Sequence, residues 1–565
     1  MTRTRLLAAY GTATILLAGL FISCGGETPA PGSADVPTGG TMVMAAATDA
    51  SGIIPAFVDR ELDVQLVAMV FDRLADIGDD MNVIGDRGFQ PRLAERWEWG
   101  ADSLSIAFHL NPRARWHDSQ PVRAADVRFA AQLYADSAVA SPVRAVVANI
   151  DSVSVRDSLT AVFHFKRRTP DQFFEAAYQV IPMPEHLLRD VNRGELRAAP
   201  FVKQPVGSGQ FRFASWTPGQ RIEVVADTTH YRGRPKLDRV IVSVYPDPAA
   251  GVAALMAGQA DFYPALSTDQ VREAAGNPDV KAVQYPSLDY AFMMLNQRGA
   301  GGRGAHPLFG DRELRRALTM ALDRAAMARN VFDTLGMVPV GPVPRGLKPD
   351  TSLIQPLGFD LARAQATLDS LGWRDANGDG VREKGGRPLQ FGLLVPASSA
   401  SRRRYAVLIQ EQLRQAGVKV DIEQLDFNVF VDRQLKRDFD AALGAYHTDP
   451  APGSIRQVWH TAGIGGDGSN YGSYSSPAFD AQVDSALATS SPDASRQHMA
   501  RAYAVIVADA PSVWLYEPRL VAGMHRRLRP VGMRADGWYG SIGAWSIPPD
   551  ERIDRDRIPL GAPAR

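Results

Sequence analysis

Cysteine is nearly missing from this chain of 565 residues. Cys24 is the only one, so no disulfide can form within the chain. A packed core alone must hold the fold, and a chain this long can supply one. Net charge is missing too. The 62 Lys and Arg are matched by 62 Asp and Glu, which argues against a nucleic-acid partner and the basic surface it needs. Beyond residue 22 there is no second long apolar run, so the chain supplies no pore, and any transport channel must be another polypeptide. Hydrolase patterns are absent as well. There is no H-E-x-x-H, no G-x-S-x-G in a supporting context, and the lone thiol sits in an N-terminal motif. No repeats or low-complexity tracts occur between residues 41 and 565.

What is present begins with a processing signal. Arg3 and Arg5 precede a nearly uncharged, mostly apolar run over residues 6–22, the pattern of a signal peptide. Cys24 follows directly, after Phe21, Ile22 and Ser23, and this resembles the lipobox of a bacterial lipoprotein, with Phe21 where Leu is usual. The plain alternative is a signal-anchor helix with an incidental cysteine. On the lipoprotein reading residues 1–23 are removed and Cys24 carries the lipid. Residues 24–40, rich in Gly, Pro, Thr and Ser, then form a flexible tether. The expected location is extracytoplasmic, in the periplasmic space or on the outer face of the plasma membrane, anchored by acyl chains.

The most legible stretch is residues 91–129. Leu104, Ile106, Phe108 and Leu110 alternate with Ser105, Ala107 and His109, the period of a half-buried strand. Asn111-Pro112 breaks that strand, and a second turn spans His117 to Pro121. Residues 122–134 then read as a helix, with Ala125, Val127, Phe129, Ala130 and Leu133 as its apolar side chains. These residues carry a pattern: Pro91, Leu93, Ala94, Trp97; Phe108, Leu110; Trp116, His117, Asp118, Pro121, Ala124, Asp126, Val127. It resembles the first signature of the family 5 solute-binding proteins of ABC importers, the dipeptide, oligopeptide and nickel type. Ser119 stands where Gly is usual and Arg123 where a capping Thr is common.

The resemblance continues in order along the chain. Residues 182–187 are similar to the family's P-x-H-L segment, and Val206 to Phe211 to its glycine-pair motif. No Gly-Lys-Ser/Thr follows that pair, so a tight turn is expected there and not a phosphate loop. Residues 258–261 resemble a G-x-x-D turn. Asp311 to Arg324 match a family helix within 306–332, and residues 341–344 a proline-rich turn. Residues 290–296 and 510–516 look like the two strands that cross between lobes. Residues 470–484 resemble the N-x-x-x-Y-x-x-P-x-x-D segment. Asp375 to Gly380 looks like the start of a calcium loop, but Gly386 occupies the twelfth position where a bidentate Glu is needed, so a polar turn is expected.

The resemblance implies an α/β chain with the periplasmic-binding-protein type II fold. Two lobes are joined by two crossing strands in the three-domain, cluster C arrangement. Residues 41–295 with about 511–565 form lobe 1, with an inserted subdomain at about 80–200, and residues 296–510 form lobe 2. It implies a binder, not an enzyme, with no cofactor and no metal. A peptide or similar small solute is captured by hinge closure and delivered to a permease and its ATPase subunits. A sensing role, or an oligosaccharide or metal-chelate ligand, is the alternative on the same fold; a secreted hydrolase is the more distant rival.

Candidate ligand-binding residues follow. Ser51 lies in a loop after the first strand, residues 41–47, where α/β folds gather ligands. In peptide-binding relatives an Asp just before the D/E-P pair holds the peptide ammonium. Counting back from Asp449-Pro450, that position is Tyr446, which cannot neutralise an ammonium. Tyr446 is either a ligand contact or a core aromatic at a strand end, and Asp449 either replaces the missing acid or caps a turn. His447 and His460 lack a carboxylate or thiol cluster at ligand spacing, so loop histidines without metal are expected. Tyr290 and Trp514 are on the crossing strands, and Asn470 follows a Gly-rich loop from which it reaches toward a ligand.

Overall fold

Side-chain alternation in the first strand decides the layering. Along Thr41–Ala46, Met42 and Met44 enter one hydrophobic core while Val43 and Ala45 enter another on the opposite face. A strand apolar on both faces must be covered on both. The computed structural model describes residues 37–560 apart from 59, 466, 467 and 490. The signal segment, Cys24 and the tether as far as residue 36 lie outside the described residues. No described helix is long and apolar enough to cross a membrane.

Thr41–Ala46 sits inside a seven-stranded sheet, in the order Val280–Tyr285, Leu520–His525, Phe262–Tyr263, Thr41–Ala46, Arg239–Val244, Arg221–Ala226, Phe211–Thr217. Its pairings with Arg239–Val244 and Phe262–Tyr263 are parallel and the others antiparallel. A second sheet has six strands, in the order Gly336–Met337, Ser512–Pro518, Asp289–Leu295, Ala441–His447, Gln390–Pro396, Lys419–Leu425. It too is buried on both faces. Ala291, Met293 and Leu295 enter one core, while Tyr290, Phe292 and Met294 enter another. A four-stranded antiparallel sheet, Ala94–Trp99, Ser105–Leu110, Thr160–Phe165, Ile150–Asp157, shares the larger core of the seven-stranded sheet. This is the two-lobed α/β architecture that the motifs imply.

The passage between sheets is a ribbon of two segments. Asp289–Leu295 pairs antiparallel with Ser512–Pro518 in the six-stranded sheet, and Val280–Tyr285 pairs antiparallel with Leu520–His525 in the seven-stranded sheet. Residues 290–296 and 510–516 were expected to cross. Their strands instead lie wholly within the six-stranded sheet, and the changeover falls just outside them, at residues 286–288 and at Arg519. Another difference concerns 306–332, which is two helices, Arg312–Met320 and Arg324–Phe332. Asp311 accepts from the N–H groups of Glu313 and Leu314, and Asp323 from that of Ala326. The two Asp positions in the motif are therefore N-caps, one per helix.

The signature at 91–129 has a structural explanation. Ile106, Phe108 and Leu110 are buried on Ser105–Leu110, and the helix is Ala124–Ala135. The Asp126 carboxylate accepts from Trp116 Nε1 at 3.2 Å and from the backbone N–H of Arg123 and Glu185. One acid thereby ties together the turn, the helix start and the 182–187 segment. His117 joins the glycine pair: Nδ1 accepts from Gly207 N–H at 3.2 Å, so the Nε2 proton is donated to the Gly209 carbonyl at 2.9 Å. Burial holds His117 down at about 4 and hence neutral. A Cβ on Gly207 would lie 1.9 Å from the Val70 carbonyl oxygen, so the pair is needed for close approach to helix Glu61–Val70. Ser119 has φ of 73°, which explains why Gly is usual there; the cost is about 1 kcal/mol.

A buried ion network closes the seven-stranded lobe. Arg527 pairs with Asp261 at 2.8 Å and with Asp556, all three side chains being at most 3% exposed. Asp556 also accepts from Thr41 N–H at 2.7 Å, Asp261 from Val43 N–H at 2.8 Å, and Arg527 donates to the Thr41 carbonyl. The first strand is thus held by residues near the end of the chain. Replacing Arg527 with Met leaves two buried carboxylates short of their shared cation. We expect a loss of about 3–5 kcal/mol, read as a lower urea midpoint for this lobe. A midpoint within error of wild type would remove the network from the account of stability.

Candidate functional site

One cavity of about 190 Å³ is enclosed on three sides by different parts of the chain. The first is the loop at residues 80–84, whose Met81 and Val83 belong to the core of the seven-stranded lobe. Facing it are Tyr290, Ile455, Trp459 and Met499, which belong to a core of the six-stranded lobe. Residues 342–350 form a third side, and Lys348 Nζ donates across to the Asp79 carbonyl at 2.6 Å. The cavity therefore has one wall from each lobe.

The strand Ala441–His447 delivers the central side chains. Tyr446 lies opposite Tyr290 in the sheet register, and its ring packs 4.9 Å from Phe292. Its hydroxyl donates to the Ser469 carbonyl at 2.9 Å. Trp459 Nε1 donates to the Tyr290 hydroxyl at 3.0 Å. Both phenols are thus engaged with the protein, and burial pushes both far up, so they stay neutral. What they present to the cavity is ring surface. Trp514 packs edge-on to Trp459 at 5.1 Å and is buried beneath the wall.

The rim is charged. His447 Nδ1 lies 2.9 Å from the Asp289 carboxylate, which also accepts from the Ser287 hydroxyl at 2.7 Å. The His447 side chain is 68% exposed. It stands in the mouth of the cleft, accessible to water yet surrounded by protein. Its hydrogen bond to Asp289 raises it above its ordinary value, against a smaller opposing effect of burial. Burial by itself would raise Asp289, but the hydrogen bonds from His447 and Ser287 outweigh it and hold the acid low. Asp449 is raised by its protein surroundings, while the Ala451 N–H it accepts opposes this.

Tyr290, Tyr446, His447 and Asp449 are thus brought together on the cavity, and three other candidates are not. Ser51 is exposed and bound to Asp63, its N–H donating at 2.9 Å and its hydroxyl at 2.5 Å. Asn470 is buried. Its amide donates to the carbonyls of Trp459, His460 and Tyr474 and its oxygen accepts from Tyr474 N–H, so it supports the loop behind Trp459. Trp514 lies under the surface. Met81, Val83 and Ile84 were missed by sequence reasoning; the signal was three apolar residues set within a Gly- and Asp-rich loop. The polar turn at Asp375 is held by its own carboxylate, which accepts from the N–H of Gly378 and Gly380. Asp375, Asp379 and Glu383 each bring one oxygen within 4.8 Å of the others.

Similarity to known proteins agrees with this geometry. The family described as bacterial extracellular solute-binding proteins, family 5 Middle, matches residues 88–466. The oligopeptide-binding protein AppA of Bacillus subtilis is 25% identical over 528 residues, covering 91% of this chain and 94% of its own length. The structure of that protein with a nonapeptide superposes with a TM-score of 0.71 at 24% identity, over 91% of this chain and all of that one. NikZ of Campylobacter jejuni, in complex with Ni(L-His), gives a TM-score of 0.72 at 21% identity, over 90% of this chain and 99% of that one.

The rim pair gives a pH signature. His447 is raised above 6.5, so its contribution to stability is complete below about that pH and is lost as pH climbs through the folded value. Asp289 is lowered from 3.8, so the pair also weakens in strong acid, as pH falls through the lowered value. The difference in melting temperature between wild type and His447→Asn is expected to be positive near pH ~5.5 and to shrink toward pH ~9. A difference that does not change across that range would count against the pair.

Proposed function

This chain belongs to the bacterial extracellular solute-binding proteins of family 5, and we propose that it captures a peptide or similar small solute between its lobes for an ABC importer. The captured solute is passed to a membrane permease and released unchanged. The chain is held at the membrane by lipid on Cys24, with residues 25–36 as tether; the expected tether stops short of residue 40, because Gly39 and Gly40 are buried and Gly39 N–H donates to the Lys236 carbonyl at 2.7 Å. The lobes divide as residues 41–295 with 511–565 on one side and 296–510 on the other, apart from the ribbon at their junction.

The observation that carries this reading is the cavity with one wall from each lobe. A solute touching both walls stabilises the closed form by its differential affinity for it. The rings of Tyr290, Tyr446 and Trp459 suit an apolar side chain, and Asp449 at the rim suits a cationic group. Asn470 and Trp514 act on the solute only through the residues they support, and Ser51 is bonded to Asp63 away from the cavity.

Mass spectrometry of co-purifying solute, followed by thermal shift against peptides, oligosaccharides and nickel chelates, tests the reading. At least one peptide is expected to raise the melting temperature saturably, following RT ln(1 + [L]/Kd). The same peptide is expected to reduce the radius of gyration in solution scattering. Trp459→Ala, which removes the wall between Tyr446 and Trp514, is expected to weaken that binding by at least about tenfold, a loss of 1.4 kcal/mol. A saturable response to oligosaccharides or nickel chelates alone would move the solute class, and occupancy without compaction would remove the closure mechanism.

A further inference from the structure

A second cavity, of about 60 Å³, lies against the end of helix Glu61–Val70 and the 534–543 run. None of its lining residues lines the solute cavity. Its walls are unusually rich in charge. Four guanidinium groups, Arg73, Arg92, Arg232 and Arg534, face three carboxylates, Asp72, Asp76 and Asp536.

The three acids are already committed. Asp76 pairs with Arg92 at 3.0 Å and Asp536 pairs with Arg534 at 2.5 Å. Asp72 pairs with Arg232 at 2.7 Å, and also accepts from the Tyr231 hydroxyl at 2.7 Å and lies 3.0 Å from His230 Nε2. Arg73 is left over. Among the described residues no carboxylate lies within ion-pair distance of it, and Asp76 acts on it only at longer range. Its guanidinium lies over the Tyr178 ring, 3.7 Å from the centroid, and one of its N–H groups donates to the Tyr178 carbonyl. Burial keeps the Tyr178 and Tyr539 phenols protonated, so neither ring supplies the missing negative charge.

We propose that this cavity is an anion site, in which a small oxyanion, a carboxylate or an inorganic phosphate, pairs with the Arg73 guanidinium. A guanidinium presents parallel N–H donors that match two oxygens of such a group. A desolvated cation without a counter-ion is costly, and an anion of the right size relieves that cost. At about 10–15 Å³ of such space per water, the cavity admits a group of about four to six water-sized units, the size of acetate or phosphate. The site is separate from solute capture and stands whether or not the solute is a peptide.

Thermal shift and calorimetry of the whole chain, at constant ionic strength set with sodium chloride, test it with inorganic phosphate and with acetate. At least one is expected to stabilise wild type saturably. A response to phosphate alone identifies an inorganic anion, and one to acetate a carboxylate. R73Q is expected to raise the dissociation constant at least tenfold, while R73K retains part of the binding and guards against a variant that fails to fold. Trp459→Ala, in the other cavity, is expected to leave it unchanged. No saturable response to either anion, or equal binding by R73Q with native circular dichroism, would overturn the proposal.

Discussion

Pairing of Val280–Tyr285 with Leu520–His525 in one sheet, and of Asp289–Leu295 with Ser512–Pro518 in the other, sets the geometry of the whole molecule. The two chain passages between lobes cannot separate, because they are hydrogen-bonded to each other immediately before and immediately after the changeover. Residues 286–288 and Arg519 are what remains to bend, and Pro286 has no N–H to commit to either sheet. Flexure confined to two adjacent short segments gives relative motion about one axis while leaving both cores intact. The cavity proposed for the solute has each wall rooted in a different core, so bending at these segments would change its width.

The cavity joins an aromatic wall to an acidic rim, and the chemistry of position 446 decides how the two divide the work. An acid there would lie against Phe292 and Trp459, with burial acting to neutralise it. Tyr446 instead uses its hydroxyl internally and offers its ring. Negative charge is displaced outward to Asp449, in the cleft mouth near the His447–Asp289 pair. The proposed solute then meets apolar surface at depth and charge at the entrance, the arrangement that keeps desolvation of the charged group small.

Much of this was legible in the sequence where local rules and tertiary demands agree. The alternation at 104–110 places Ile106 and Phe108 inside because a sheet face must be dry, and the structure places them there. Asp126, His117 and the glycine pair were readable as a family pattern, but their reasons are tertiary: they bond to one another across long stretches of chain. Within the site, position relative to Asp449-Pro450 singled out Tyr446, which the structure places on the cavity beside His447. Asn470 misled because a polar residue after glycines reads equally as a ligand contact or as a loop's internal fastener, and only its four bonds distinguish these. Met81, Val83 and Ile84 have no periodicity to betray them. The helix motif from Asp311 to Arg324 was legible as far as Met320, but its closing Asp323 is the start of a second helix, which the pattern alone does not separate from continuation.

Strand Leu520–His525 occupies an interior place in the seven-stranded sheet, between Val280–Tyr285 and Phe262–Tyr263, and Asp556 fastens Thr41. A sheet cannot be finished before its interior strand exists. The lobe that holds Thr41–Ala46 is therefore completed only after every strand of the six-stranded sheet has been synthesised, so two segments far apart in the chain must wait for each other.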